Sequence, residues 1–416
     1  MIIVADQNIP HAARVFSGMG EVRLLPGRGI APETVREADV LLIRSVTRID
    51  ADFLAAAGTR LRFLGTATAG VDHVDAAALA GRGIHFASAP GHNARSVAEW
   101  TLAAILEWAA GESLGLIGLT LGVVGGGAVG SLVAAMGRAL GMRTLVCDPP
   151  LRRVGACPDG AAFSSLPELL ESADIVTLHV PLTASGPDRT ADMAGAAFFG
   201  RMRPGSLFIN SSRGAVVDEK ALCAGLRRGK PGFAILDVWR DEPGIRRKTL
   251  DAAYLATPHI AGYSLDGKTA GTTALFRSAC RFFGRDSAEP PGSLLPPPEV
   301  PDIDLSDWAH SDSGAGQPIS GDAGGALAAP EWMAAWTEDA IRLAVRHAYD
   351  IRRDDAAMNQ LLEKGAPPGM AARIFDDLRA QYPPRREFGA YRVVNAPPEA
   401  HSALLALGFK CPSPAP

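Results

Sequence analysis

The chain has 416 residues and a formal net charge of −4, so it exceeds one ordinary core and calls for two or three domains. Nearly balanced charge leaves no electrostatic footprint for a nucleic acid or an anionic membrane. The five cysteines, Cys147, Cys157, Cys223, Cys280 and Cys411, are odd in number, scattered and never spaced C-x-x-C, which argues against a disulfide framework and against a zinc site.

The chain opens directly as MIIVAD, without a basic n-region or cleavage pattern, so a cytoplasmic protein is expected. Residues 1 to about 95 alternate apolar runs with helical stretches: IIVAD, DVLLIRS, RFLGTATAG and IHFASAP read as strands. Strands separated by helices indicate βαβ units and a parallel sheet. The stretch from Ala94 to Ala110 sets Val97, Thr101, Leu102, Ile105, Leu106 and Ala109 on one face and reads as a long buried helix passing into the next domain. No charged residue occurs from Ser113 to Gly137, which is long enough to imitate a membrane span. Gly122, Gly125, Gly126, Gly127 and Gly130 crowd its middle, however, and favour a buried strand, a tight turn and a buried helix.

A second α/β block follows from about 118 to 265, with LGVVG, RTLVCD, DIVTLHV, SLFINSS, FAILDVW and YLATPH as strands. Gly271 to Phe283 reads as a helix folding back onto the first domain. Residues 286–330 are rich in Pro, Gly, Ser and Asp, the composition of a linker or irregular insertion. From Trp332 an amphipathic helix returns, with Trp336, Ile341, Leu343, Val345 and Tyr349 available for packing, before a strand YRVVN and a short helix ahead of LGF. The expected fold is α/β: two Rossmann-like doubly wound parallel-sheet domains and a small C-terminal α/β module. The first domain spans 1–95 and is completed by about 266–285; the second spans 96–265, and the module 331–416. Lysine is confined to Lys220, Lys230, Lys248, Lys268, Lys364 and Lys410. Arginine supplies the remaining basic residues, so an isolated arginine carries little weight.

Gly125-x-Gly127-x-x-Gly130 lies between strand LGVVG and helix VGSLVAAMGRAL, the setting a dinucleotide fingerprint requires. The first glycine permits the turn, the second admits the pyrophosphate, and the third lets helix and strand pack closely. Pyrophosphate would sit at the positive helix N-terminus. Asp148 ends the next strand, where a carboxylate takes the ribose hydroxyls and disfavours a 2′-phosphate, so NAD is preferred to NADP despite Arg152 and Arg153 nearby.

Three islands then follow: SSRGAVVD around Arg213, DVWRDEP around Glu242 and TPHIAGY around His259. Arginine grips a carboxylate with a bidentate fork, histidine exchanges protons near neutral pH, and a carboxylate beside the histidine holds its ring in one orientation. Taken singly, a turn arginine, a capping glutamate and a core histidine explain them equally well. Each, however, follows a predicted strand, and parallel sheets bind ligands at the carboxyl ends of their strands. Together they point to oxidation or reduction at a carbon beside a carboxylate.

The first-domain block, the mid-chain fingerprint and these islands resemble the D-isomer-specific 2-hydroxyacid dehydrogenase family. LIRSVTRID, APGHNARSVAEW, CDPP and INSSRGAVVD carry the likeness, which covers nearly the whole chain and is weakest at about 300–330. GTATAGVDHVD, HIAGYSLDGK and YDIRRDD are more selective and are similar to a branch that oxidises a small phosphorylated 2-hydroxy acid, 4-phospho-D-erythronate, in pyridoxal 5′-phosphate biosynthesis. The resemblance implies that Arg213, Glu242 and His259 are catalytic and that Ser45, Thr68 and Tyr263 contact substrate. It implies NAD contacts from Asp148, Thr177, Asp237 and Gly262, with Val129 in the fingerprint and Ser211 before Arg213, and a homodimer built through the tail.

Read as residues, Ser45 and Thr68 end or follow strands, where capping or turn work is the ordinary role. Thr177 lies within a strand, where a buried β-branched residue is expected anyway, and Asp237 ends a strand from which it could reach the nicotinamide edge. His73, His92 and His179 read as structural. In the implied chemistry His259 takes the hydroxyl proton, the C2 hydride passes to nicotinamide, and Arg213 holds the carboxylate; no metal is needed. Arg44 is the nearest phosphate donor, and Arg352 and Arg353 could add to it from the tail of a partner subunit. Two alternatives stand beside this reading: another D-2-hydroxyacid dehydrogenase, such as one for phosphoglycerate, and a non-enzymatic NAD(H)-sensing scaffold.

Overall fold

The structure, a computed structural model, describes residues 1–156, 158, 160–286, 293–306, 329–360 and 369–412, the side chains of 329–336 excepted. Cys157, the packing expected of Trp336 and most of the 286–330 segment lie outside the described residues. The chain divides into two compact units, Met1–Ala94 with Tyr263–Pro296, and Arg95–Gly262 with Pro297–Pro416.

The first unit holds a parallel sheet of β1 (Ile2–Asp6), β2 (Glu21–Leu25), β3 (Val40–Ile43), β4 (Phe63–Thr66) and β5 (His85–Ser88), in the order β2-β1-β3-β4-β5. Its central strands are apolar runs buried on both faces, as a sheet covered on two sides demands. Alternate residues supply two cores: Ile3, Ala5, Leu42 and Phe63 face one side, Val4, Leu41, Ile43 and Leu64 the other. Helix Leu265–Phe283 closes the first of these with Leu275, Phe276, Ala279 and Cys280, and the Phe276 ring meets Phe16 edge-on at 5.4 Å. The helix starts before the expected Gly271 because the Ser264 hydroxyl caps it, accepting from the Gly267 N–H at 2.9 Å. Gly267, Thr269 and Gly271, poor helix formers, hide that first turn from the sequence pattern.

The second unit holds β6 (Thr120–Val124), β7 (Arg143–Cys147), β8 (Ala162–Phe163), β9 (Ile175–Leu178), β10 (Leu207–Asn210), β11 (Phe233–Leu236) and β12 (Leu255–Ala256). All are parallel, in the order β12-β11-β10-β9-β6-β7-β8, so the winding reverses between β6 and β9. That switch point is where a doubly wound sheet opens a ligand crevice. The uncharged stretch is β6 and helix Ala128–Ala139; among the described residues no helix is long and apolar enough to cross a membrane. Helix Ala94–Gly111 is the buried helix expected there, enclosed on nearly every side, with Trp100 and Trp108 fully buried beside Leu102 and Ile105.

The C-terminal residues add helices Ala329–Ala348, Ile351–Asn359, Met370–Ala380 and Pro398–Ala406, and a parallel pair, β13 (Asp302–Asp304) with β14 (Arg392–Val394). Met358 and Phe375 enter the same core as Phe199, Phe208 and Trp239 of the large sheet. Asp355 accepts the Ala256 N–H at 2.8 Å, covering a backbone donor of the edge strand β12.

Candidate active site

Arg213, Glu242 and His259 follow β10, β11 and β12, three neighbours at one edge of the sheet's carboxyl end. The turn after β10 is built by Asn210, whose amide donates to the Arg213 carbonyl (3.1 Å) and whose oxygen accepts from the Ser212 N–H (3.0 Å) and hydroxyl (2.8 Å). Gly214 lets this turn close on the next loop: a β-carbon there would fall 2.0 Å from the Trp239 carbonyl carbon and oxygen. The Trp239 N–H in turn donates to Glu242 Oε1 at 2.9 Å, and its indole N–H reaches the Thr257 carbonyl at 3.0 Å. The three loops are therefore bonded or packed to one another.

Glu242 Oε2 lies 2.7 Å from His259 Nδ1, which fixes the ring and leaves Nε2 as the nitrogen that can exchange a proton with a substrate. Burial would raise the Glu242 carboxyl, but His259, the Arg379 guanidinium and the Trp239 N–H together hold it below its ordinary value. His259 itself sits at φ +57°, a left-handed backbone that a side chain ordinarily disfavours. The surrounding bonds impose it. The His259 N–H donates to the Asp237 carbonyl at 2.7 Å; Asp237 Oδ1 accepts from Thr257 Oγ1 (2.6 Å) and the Ile260 N–H (2.8 Å), and Oδ2 from the Ala261 N–H (3.0 Å). Asp237, expected at the nicotinamide edge, is buried, and both its oxygens brace the histidine loop.

The fingerprint glycines, expected to hold a cofactor, follow β6 at the switch point. Gly125 turns at φ +95° beside the His179 carbonyl, and a β-carbon on Gly130 would fall 1.8 Å from the Gly125 carbonyl oxygen. At Gly127, which caps the helix carrying Val129, a β-carbon would meet nothing within 4 Å: this is open space at a helix N-terminus, as a pyrophosphate requires. Asp148 stands at the end of β7, where Oδ2 accepts the Gly126 N–H (2.8 Å) and Oδ1 the Leu151 N–H (2.9 Å), leaving lone pairs for ribose hydroxyls. Arg153 pairs with Asp188, which draws that guanidinium to a carboxylate. The Ser211 hydroxyl is buried with no partner among the described residues, a donor that suits a ligand. These features fit a dinucleotide. Thr177 presents no polar atom outward: it is fully buried in β9, its hydroxyl 3.0 Å from His179 Nε2, and burial pushes that imidazole down to about 3.

In the first unit, β3 and β4 pair Ile43 with Thr66, so Ser45 and Thr68, two residues beyond each, share one edge of the sheet. Ser45 is exposed; the Thr68 hydroxyl bonds the Thr66 hydroxyl (2.7 Å) and the Gly70 carbonyl (2.8 Å), and Thr66 reaches His73 Nε2 at 2.9 Å. Arg44 donates through Nε to buried Asp6 at 2.9 Å and through Nη2 at 3.5 Å, leaving Nη1 as its remaining nitrogen. Tyr263 is half-buried, with Lys268 Nζ 3.9 Å above its ring. His92 is held by the Ala89 carbonyl, and burial lowers its basicity. In the tail, Arg352 is exposed and pairs with Asp350 (3.3 Å) and Glu107 (3.5 Å), while Arg353 is exposed.

A glycine turn at the switch point of a parallel sheet, with an arginine and a carboxylate-held histidine at neighbouring strand ends, defines an NAD-binding dehydrogenase of 2-hydroxy acids. The family model for the D-isomer specific 2-hydroxyacid dehydrogenase NAD binding domain matches residues 93–261, and a domain family of unknown function matches 326–408. An erythronate-4-phosphate dehydrogenase of Aeromonas hydrophila is 42% identical over 411 residues, 99% of each chain, and one of Pseudomonas fluorescens is 41% identical over 393 residues, 94% of each. The chain belongs to the erythronate-4-phosphate dehydrogenase family. Among solved structures, the TT0316 protein of Thermus thermophilus is 31% identical with a TM-score of 0.59, covering 70% of this chain and 99% of that one. The D-lactate dehydrogenase of Aquifex aeolicus, solved with NAD and lactic acid, is 25% identical with a TM-score of 0.57, covering 68% and 96%.

Proposed function

We propose that this chain oxidises 4-phospho-D-erythronate at C2, giving (R)-3-hydroxy-2-oxo-4-phosphooxybutanoate, as a step of pyridoxal 5′-phosphate biosynthesis in the cytoplasm. The observation that carries this reading is the 2.7 Å contact between Glu242 and His259 Nδ1 beside the Arg213 turn, in a chain of this family. Bound NAD supplies the hydride acceptor. His259 Nε2 takes the C2 hydroxyl proton as the carbonyl forms, and Glu242 holds the ring in line and balances the charge that the proton brings. Arg213 grips the substrate carboxylate and sets C2 beside the base. Gly125, Gly127, Val129 and Gly130 form the pyrophosphate turn, Asp148 takes the ribose, and Ser211 and Gly262 join the cofactor side. Asp237 and Thr177 serve it by holding the loop and strand around it.

Ser45, Thr68 and Tyr263 would contact the substrate, with Arg44 offering Nη1 to the phosphate. The tail would build a homodimer in which Arg352 and Arg353 of one subunit support phosphate binding in the other. An R352A/R353A variant that stays dimeric should then show a raised KM for phosphoerythronate with little change in kcat; an unchanged KM removes the two arginines from the site.

Steady-state NADH formation across 4-phospho-D-erythronate, 3-phospho-D-glycerate and their unphosphorylated acids tests the function. Preference for phosphoerythronate is expected. Faster turnover of phosphoglycerate would assign the chain to another branch, and tight NADH binding without turnover of any 2-hydroxy acid would make it a nucleotide-sensing scaffold.

A further inference from the structure

The segment Arg385–Phe388 of the tail is bonded to the long helix Ala94–Gly111 and to the histidine loop. Arg385 is buried, and its Nη2 donates to the Ala261 carbonyl at 2.7 Å, to Ser96 Oγ at 2.6 Å and to the Ser96 carbonyl at 3.3 Å. The Ser96 hydroxyl in turn donates to the same Ala261 carbonyl at 2.8 Å. Three residues on, the Phe388 N–H donates to Glu99 Oε1 at 3.0 Å, which also accepts Arg95 Nε at 2.8 Å. The Tyr349 ring lies 4.1 Å beneath the guanidinium, and the Tyr349 and Tyr382 hydroxyls both donate to Asp354 Oδ2, at 2.8 and 2.9 Å. The Nε and Nη1 of Arg385 have no hydrogen-bond partner among the described residues.

A buried guanidinium with donors left over is a poor stabiliser; an apolar side chain of the same volume would serve the core better. What it does achieve is placement. Asp237 draws the N–H groups of Ile260 and Ala261 from one side, while Arg385 and Ser96 draw the Ala261 carbonyl. We propose that Arg385 is a positioning residue for the catalytic base: by holding the Ala261 carbonyl, it fixes the loop in which His259 keeps its left-handed backbone and its contact with Glu242. The inference rests on the dehydrogenase reading above. It makes the tail part of the catalytic apparatus, through a residue that touches neither substrate nor cofactor.

The test uses the full-length enzyme, with wild-type turnover of 4-phospho-D-erythronate measured first. Arg385→Ala should lose on the order of 100-fold in kcat, while KM and the Kd for NADH stay within about 3-fold, because misplacement of a catalytic group acts on the chemical step. Added guanidinium should restore about tenfold of that loss in R385A and leave the wild type unchanged. Ser96→Ala, which removes only the bridging hydroxyl, should lower kcat by roughly 3- to 10-fold, and it decides the matter if R385A does not fold. Wild-type kcat in R385A or in S96A overturns the proposal. So does a kcat loss in R385A matched by equally weakened NADH binding and untouched by guanidinium, which assigns the residue to folding alone. A wild-type enzyme inactive on every 2-hydroxy acid defeats the functional reading instead, so the two failures are distinct.

Discussion

His259 combines two demands that rarely meet in one residue: a backbone at φ +57° and a ring bonded to Glu242 at 2.7 Å. The backbone sets the direction of the ring, and the carboxylate engages Nδ1, leaving Nε2 for the substrate in the proposed reaction. His259→Ala should therefore lower kcat by about 10²–10⁴-fold, the range of general acid–base catalysis, while leaving the Kd for NADH at the wild-type value in a fluorescence titration. Arg213→Lys should raise KM and lower kcat together, since an ammonium cannot reproduce the planar fork; the kinetic constants from initial rates check it. The positions of Arg213, Glu242 and His259 after strands β10, β11 and β12 were legible in the sequence because short polar islands followed strand-like runs. The bonds from both Asp237 oxygens to the next loop were not legible, since a strand-end carboxylate does not announce its partners. Arg385 gave no signal at all. In a chain so rich in arginine, nothing marks the one that is enclosed.

The helix Ala94–Gly111 shows what an element adds. Its glutamate, Glu99, is enclosed among the side chains of the nucleotide unit, and burial pushes its carboxyl up to about 8 although Arg95 opposes the shift. A raised carboxyl means that the folded chain keeps a proton the unfolded chain has already released. Below about pH 4.5 both states hold it; from there to about 8 the folded state alone does, so this group's contribution to stability falls as pH rises through that window. Glu99→Gln removes the titration. Urea melts should show the difference in stability between variant and wild type shifting towards the variant from pH 5 to pH 8, and a pH-independent difference would refute the enclosed proton. Most of the strands legible in advance were apolar runs of four or five residues, such as Val40–Ile43 and Leu207–Asn210, buried on both faces. Three others were not. Glu21–Leu25 is a half-exposed edge, Ala162–Phe163 is only 2 residues long, and Asp302–Asp304 forms by pairing with a strand about 90 residues later.

At the scale of the molecule, the tail and the nucleotide sheet share one core. Phe375 is completely buried in the same cluster as Phe208 and Trp239, so Phe375→Ala should cost about 3–5 kcal/mol and lower the melting temperature at which NADH protection is lost. Differential scanning calorimetry with and without NADH checks this. If the NADH-stabilised transition kept its wild-type temperature, the tail would be melting on its own. Composition announced a separate module after residue 330 but gave no hint of this merger, because an amphipathic helix does not say which surface it will cover. The bond from Arg385 to the Ala261 carbonyl spans 124 positions of the chain. At ordinary rates of synthesis, that separation corresponds to about 6–25 seconds on the ribosome. Throughout that interval the histidine loop exists without the guanidinium that will bond its Ala261 carbonyl, so the nascent chain holds His259 well before it holds this contact.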